Sequence, residues 1–168
     1  MKRFFFLSLF VVFLACNDGD LQIASIDFDS VSIETCETTI TTASNVFFKI
    51  NGEEALILEL QSGILKNEVS QDTIVSTLPG QSNLIYRLFS GTVSSNYFCD
   101  AIPLTTPTVL EEIEAVSGEV LISTIQNPSD STQFEHTILL GNVTLINEQG
   151  ERITDISINE FGTITTEQ

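Results

Sequence analysis

Apolar and polar residues alternate with a period of two through most of the chain beyond its first fifteen residues, and this predicts strands rather than helices. The pattern is plainest over residues 45–60. Val46, Phe48 and Ile50 share one side, Asn51-Gly52 suits the positive φ of a tight turn, and Leu56, Leu58 and Leu60 resume the alternation, so a β-hairpin is expected. Phe47 and Ile57 make the opposite face apolar as well, which places this hairpin in the middle of a sheet. Ahead of it, Ile26 with Phe28 and then Val31 with Ile33 predict two half-buried strands, and the Thr-rich residues 37–44 predict a loop. Residues 64–69 and 73–78 are further strand candidates before a Pro79-Gly80 turn, and residues 83–90 set Leu84, Tyr86 and Leu88 against Ile85 and Phe89.

Ser94-Ser95-Asn96 before Tyr97-Phe98-Cys99 fits a capped single helical turn that carries the cysteine inward. Pro103 and Pro107 then enforce an extended connection. Residues 109–116 read two ways. Val109, Ile113 and Val116 fall at helical spacing, yet the segment runs through Ser117-Gly118 into the alternating Val120, Ile122 and Thr124, so the reading adopted is a hairpin that turns at Ser117-Gly118. After a loop at residues 127–131, residues 133–146 form a long β stretch with Gly141 where a bulge or kink is expected. Residues 148–151 turn the chain, and residues 153–165 give one or two closing strands. The expected architecture is all-β: an antiparallel β-sandwich, immunoglobulin-like or jelly-roll-like, with a closed β-barrel as the alternative.

The first fifteen residues follow another rule. Lys2 and Arg3 precede a predominantly apolar run from Phe4 to Ala15, too short for the roughly 20 residues that span a hydrocarbon layer, so the segment reads as a signal peptide. Phe13-Leu14-Ala15-Cys16 resembles the lipobox of bacterial lipoproteins, with Phe13 standing where leucine is usual. That resemblance implies cleavage before Cys16 and acylation of Cys16; the other reading is ordinary signal cleavage that leaves Cys16 a free thiol. Asn17-Asp18-Gly19-Asp20 looks like the acidic stretch that follows the acylated cysteine in lipoproteins some Gram-negative bacteria export to the cell surface. The chain therefore divides into a signal peptide (1–15), a lipidated cysteine with an acidic tether (16–22) and a single β domain (23–168), held in the cell envelope at the outer membrane or cell surface.

Charge narrows the partners. Beyond the signal peptide, four basic residues (Lys49, Lys66, Arg87 and Arg152) face twenty-three acidic ones, a balance that repels nucleic acid. With Cys16 committed to lipid, Cys36 and Cys99 remain to pair in an oxidising compartment, a bridge worth roughly 4 kcal/mol in the chain-entropy model, with two buried thiols the alternative.

Candidate chemistry is sparse. The single histidine, His136, lies in phase with Phe134, Ile138 and Leu140 and reads as a cross-strand or core-edge residue rather than a catalytic base. Glu53 and Glu54 read as a solvated turn. No cofactor is expected. Calcium is the one metal with a case: Asp27 and Asp29 share a predicted strand face, and Asn17, Asp18 and Asp20 resemble a fragment of an oxygen-ligand loop, but the closing bidentate Glu is missing. Asp29-Ser30-Val31, Asp72-Thr73-Ile74 and Asp130-Ser131-Thr132 resemble the triplets at which some Gram-negative bacteria attach O-linked glycans, which makes Ser30, Thr73 and Ser131 acceptors by resemblance. With no Trp and only Tyr86 and Tyr97 as tyrosines, stacking of a glycan has little to work with. The function expected is a non-enzymatic binding or structural domain, tethered to a membrane by lipid, for a protein or glycan ligand. The alternative is a small carboxylate-dependent hydrolase such as a glycosidase.

Overall fold

The computed structural model describes residues 26–102, 104–150, 152–153 and 160–167. The signal peptide, Cys16 and the tether, with Asn17, Asp18 and Asp20, lie outside them. The architecture is all-β, one antiparallel sheet curled into a half-barrel. Its strands are β1 (Val46–Asn51), β2 (Glu54–Glu59), β3 (Ile74–Leu78), β4 (Asn83–Phe89), β5 (Val109–Gln126), β6 (Gln133–Ile146), β7 (Arg152–Ile153) and β8 (Glu160–Glu167), with one short helix, α1 (Ser95–Cys99). The main path runs β1-β2-β4-β5-β6-β7, while β3 pairs with β5 and β8 with β6.

The expected hairpin forms between β1 and β2, but Asn51 pairs with Glu54, so the turn residues are Gly52 and Glu53 and only Gly52 takes positive φ, +65°. Both of its faces are buried for different reasons. Phe47, Leu56 and Leu58 point into the main core with Leu84, Tyr86, Ile113, Ile122, Ile138 and Phe161, whereas Ala55, on the other face, meets Phe89 and Val93. Phe98 of α1 stacks on Phe48 with ring centroids 4.6 Å apart, and Tyr97 meets Phe89 edge-on at 4.9 Å. Cys99 is therefore not carried inward. The aromatics of α1 face the sheet, and Cys99 stays exposed with its partner Cys36. The hairpin also lies at one end of the sheet rather than in its middle, because beyond β1 there is a single bridge, Glu34 to Phe48.

The hairpin expected at Ser117-Gly118 is a bulge inside one strand of 18 residues. Buried positions are Ile113 and Ala115 before it and Val120, Ile122 and Thr124 after it, so the inward phase slips from odd to even without a change of direction. The β5/β6 register shifts at Ala115/Ser117 and again at Ser117/Glu119, and Asn142 in β6 takes positive φ, 52°, as the second strand bends with the first. Gly118, at φ +143°, is dictated by this crossing: a Cβ there would stand 3.0 Å from the Val143 Cα. The first half of β5 pairs with β4 and the second half with β3, and this carries the sheet around the core.

Two other expectations fail. Residues 64–69 form no strand, although Ile64 and Leu65 are buried. Residues 26–33 do not form two strands either: Ile26 and Phe28 enter the core from irregular backbone, and a turn at Asp29-Ser30 leads into the segment 31–35. The predicted loops at 37–44 and 127–131 and the turn at Pro79-Gly80 are present.

Candidate functional site

A groove of about 800 Å³ opens between the segment 29–35 and β8, and Lys49 lies at its floor. Its volume falls within the roughly 300–1,000 Å³ of ordinary ligand pockets. Local sequence builds both walls. In the first, the Asp27 carboxylate accepts the Asp29 N–H at 3.1 Å, and Val31 N–H closes the turn on Phe28 O at 3.2 Å. In the second, β8 is bulged where its register shifts between Ile138 and Leu139, and Gly162 at φ +133° presents a bare α-carbon to the first wall. Ile33 fills that space, with its Cδ1 2.8 Å from where a Gly162 Cβ would stand.

Lys49 is the residue that sequence reasoning missed. It alternates in phase with Phe47 and is 4% exposed, so its stem runs through the core. The ammonium donates to Phe28 O at 2.8 Å and lies 5.7 Å from the centroid of the Phe161 ring. Burial lowers its pKa from the ordinary lysine value, while Asp29 and Glu160 pull it back by charge. Neither comes within ion-pair distance; among the described residues the ion pairs are Lys66 with Glu68 and Arg87 with Glu112. The signal was in the chain, a lysine on the inward phase of a strand apolar on both faces.

The other expected site residues do not converge on this groove. Cys36 and Cys99 are joined, 63 residues apart, by a surface disulfide that staples the end of the first wall to α1. Asp27 and Asp29 occupy a turn rather than one strand face. Asp27 caps that turn and Asp29 lines the groove, and among the described residues no group of three or more candidate ligands could hold a metal. Ser30, Thr73 and Ser131 are all exposed, Ser30 and Ser131 in turns and Thr73 just ahead of β3. Beside Ser131, Thr132 donates its N–H and hydroxyl to Asp130 and holds that carboxyl below its ordinary value.

His136 is 0% exposed. Its Nδ1 and Nε2 each lie 2.8 Å from a hydroxyl, of Thr124 and Thr166, and Thr166 in turn donates to Asn67 Oδ1 at 2.6 Å. Both nitrogens are engaged across three neighbouring strands, and burial lowers the imidazole pKa. Of the two turn glutamates, Glu54 opens β2 and accepts the Tyr86 hydroxyl, whose pKa is pushed far up, first by burial and then by that bond. Tyr86 is buried and Tyr97 is packed among Phe89 and Phe98, so neither offers an open stacking face. Comparison with protein-family models, with curated proteins and with solved structures gave no match.

Proposed function

We propose that this chain is a cell-envelope lipoprotein, acylated on Cys16 and held at the outer membrane or cell surface, whose β domain binds a ligand in the Lys49 groove without transforming it. The observation that carries the anchor is Phe13-Leu14-Ala15-Cys16 at the end of an apolar run behind Lys2 and Arg3. Support for binding rather than catalysis comes from His136, whose ring nitrogens are both bonded inside the sheet and out of reach of a substrate. The groove supplies instead a buried ammonium and polar walls on a disulfide-stapled scaffold.

Metabolic labelling with an alkyne fatty acid tests the anchor. The protein should take up the label and sediment with membranes, and Cys16→Ser should lose both; unlabelled wild-type protein would end the reading. A carboxylate hydrolase would place its chemistry on the same groove, since Asp29, Glu34 and Glu160 all line it. Turnover of aryl glycosides that vanishes in Glu160→Gln would replace binding by catalysis.

A further inference from the structure

One long wall of the groove is the open edge of β8, and the other is the segment 29–35, bridged to β1 at Glu34. In an antiparallel ladder, alternate residues turn their N–H and C=O to opposite sides. Glu167 donates its N–H to Ile40 O, on the side away from β6, so Thr165 and Thr163 turn their backbone groups the same way. Glu34 exchanges both of its backbone bonds with Phe48, so Ile33 and Thr35 turn theirs away from β1 and toward the groove. Among the described residues, none of these four has a backbone partner on the groove side. Bare edges of this kind are templates for another strand.

Two further features point to the same kind of occupant. The Lys49 ammonium carries three donors, of which, among the described residues, one reaches an acceptor, Phe28 O, so a buried cation has capacity left for acceptors in the groove. The acidic lining, from Asp29, Glu34 and Glu160, opposes a carboxylate or phosphate there and favours cationic side chains. An extended backbone answers all of this together. It offers donors and acceptors at a two-residue repeat for the edges, a neutral carbonyl for Lys49, and side chains that leave toward the rim.

We infer that the groove takes an extended, lysine- or arginine-bearing segment of a partner protein, which adds as a strand along β8 and displaces the Ile33 tip from Gly162. This rests on the reading of the groove as the binding face. The main chain of the segment pairs with Thr163 and Thr165, and its basic side chains meet Asp29, Glu34 and Glu160.

The test uses the full-length protein purified from cells that make it, with calorimetry and amide hydrogen exchange as readouts. The probes are a blocked heptapeptide alternating lysine with valine, its glutamate-for-lysine counterpart, an alternately N-methylated version, and a neutral oligosaccharide. The lysine peptide should slow exchange at Thr163 and Thr165, and both altered peptides should bind about tenfold more weakly or worse, as expected for lost backbone bonds and reversed charge. Thr165→Pro removes an N–H that faces the groove and not β6, so it should weaken binding about tenfold while the sheet stays folded. Ile33→Ala should tighten binding, and Lys49→Met should loosen it. Equal binding of the N-methylated peptide, or indifference to Thr165→Pro, would overturn strand addition. Protection of groove amides by the oligosaccharide alone would overturn it too, yet leave the groove as the binding face. If no probe protects those amides, both readings fall.

Discussion

Two glycines of this sheet stand at positive φ against close neighbours, and the neighbours differ. A Cβ at Gly118, where β5 crosses from one half of the sheet to the other, would stand 3.0 Å from the Val143 Cα and 3.2 Å from the Gly141 carbonyl, both backbone, and 3.1 Å from the Val143 Cγ2. A Cβ at Gly162, on the groove wall, would meet only the Ile33 side chain, its Cδ1 at 2.8 Å and its Cγ1 at 3.1 Å. The crossing is closed chiefly by main chain, which yields at a cost to the ladder, and the groove by side chain alone, which can swing aside. Strands bonded on both edges lie on one side of this contrast and the half-bonded edge of β8 on the other, so the molecule has a welded region and a pliable one.

The largest effect should come from the crossing. Gly118→Ala adds strain from φ +143° to a backbone collision with Val143 and should cost about 3 kcal/mol or more, read as a fall in the urea midpoint at unchanged slope. A loss under about 1 kcal/mol would mean that β6 can retreat there, and the contrast would break.

Gly162→Ala should cost less, about 1–2 kcal/mol, because the φ of +133° is strained but Ile33 can move aside. The double variant with Ile33→Ala should be non-additive, recovering part of the loss, whereas combining Ile33→Ala with Gly118→Ala should be additive. Additivity at Gly162 would show that Ile33 does not press on it.

How far this was legible in the sequence follows from the same contrast. Strands paired to near neighbours were visible: the β1/β2 hairpin, β4 and the second arm of β5 each announce themselves by alternation between polar turns, whereas the first arm of β5 also fits helical spacing. What misled was phase without direction. At Ser117-Gly118 the inward set shifts by one residue, which a turn and a bulge produce alike in a linear string; the partner decides, and that partner, Val143, lies 25 residues further on in β6. Ile26 and Phe28 misled differently. Their spacing was that of a strand, but they are buried by side chain alone, with no ladder beside them. The groove was hidden because its walls come from the two ends of the domain, and Lys49 was passed over because a lysine is ordinarily read as solvent-facing. The disulfide needed only compartment and count.

The smallest effect tests the welded side by pH. His136 is the chain's single histidine, bonded to Thr124 and Thr166 on the strands either side of β6, and burial keeps its folded pKa below the 6.5 of an exposed imidazole. The unfolded chain therefore takes up a proton first as pH falls. Stability is fully present above about pH 6.5 and is lost as pH falls toward the folded pKa, with a slope of at most about 1.4 kcal/mol per unit for one proton. Urea unfolding at steps between pH 7 and 5, above the range where ordinary carboxylates titrate, should show that slope in the wild type and not in His136→Gln, which keeps a hydrogen-bonding side chain but does not titrate. Amide protection along β6 and β8, corrected for the slower intrinsic exchange at lower pH, should fall together on acidification, because Thr124, His136 and Thr166 join three strands through one ring. A loss of protection confined to the groove edge at Thr163 and Thr165 would assign the proton to the pliable side instead, and the division into two regions would have to be redrawn.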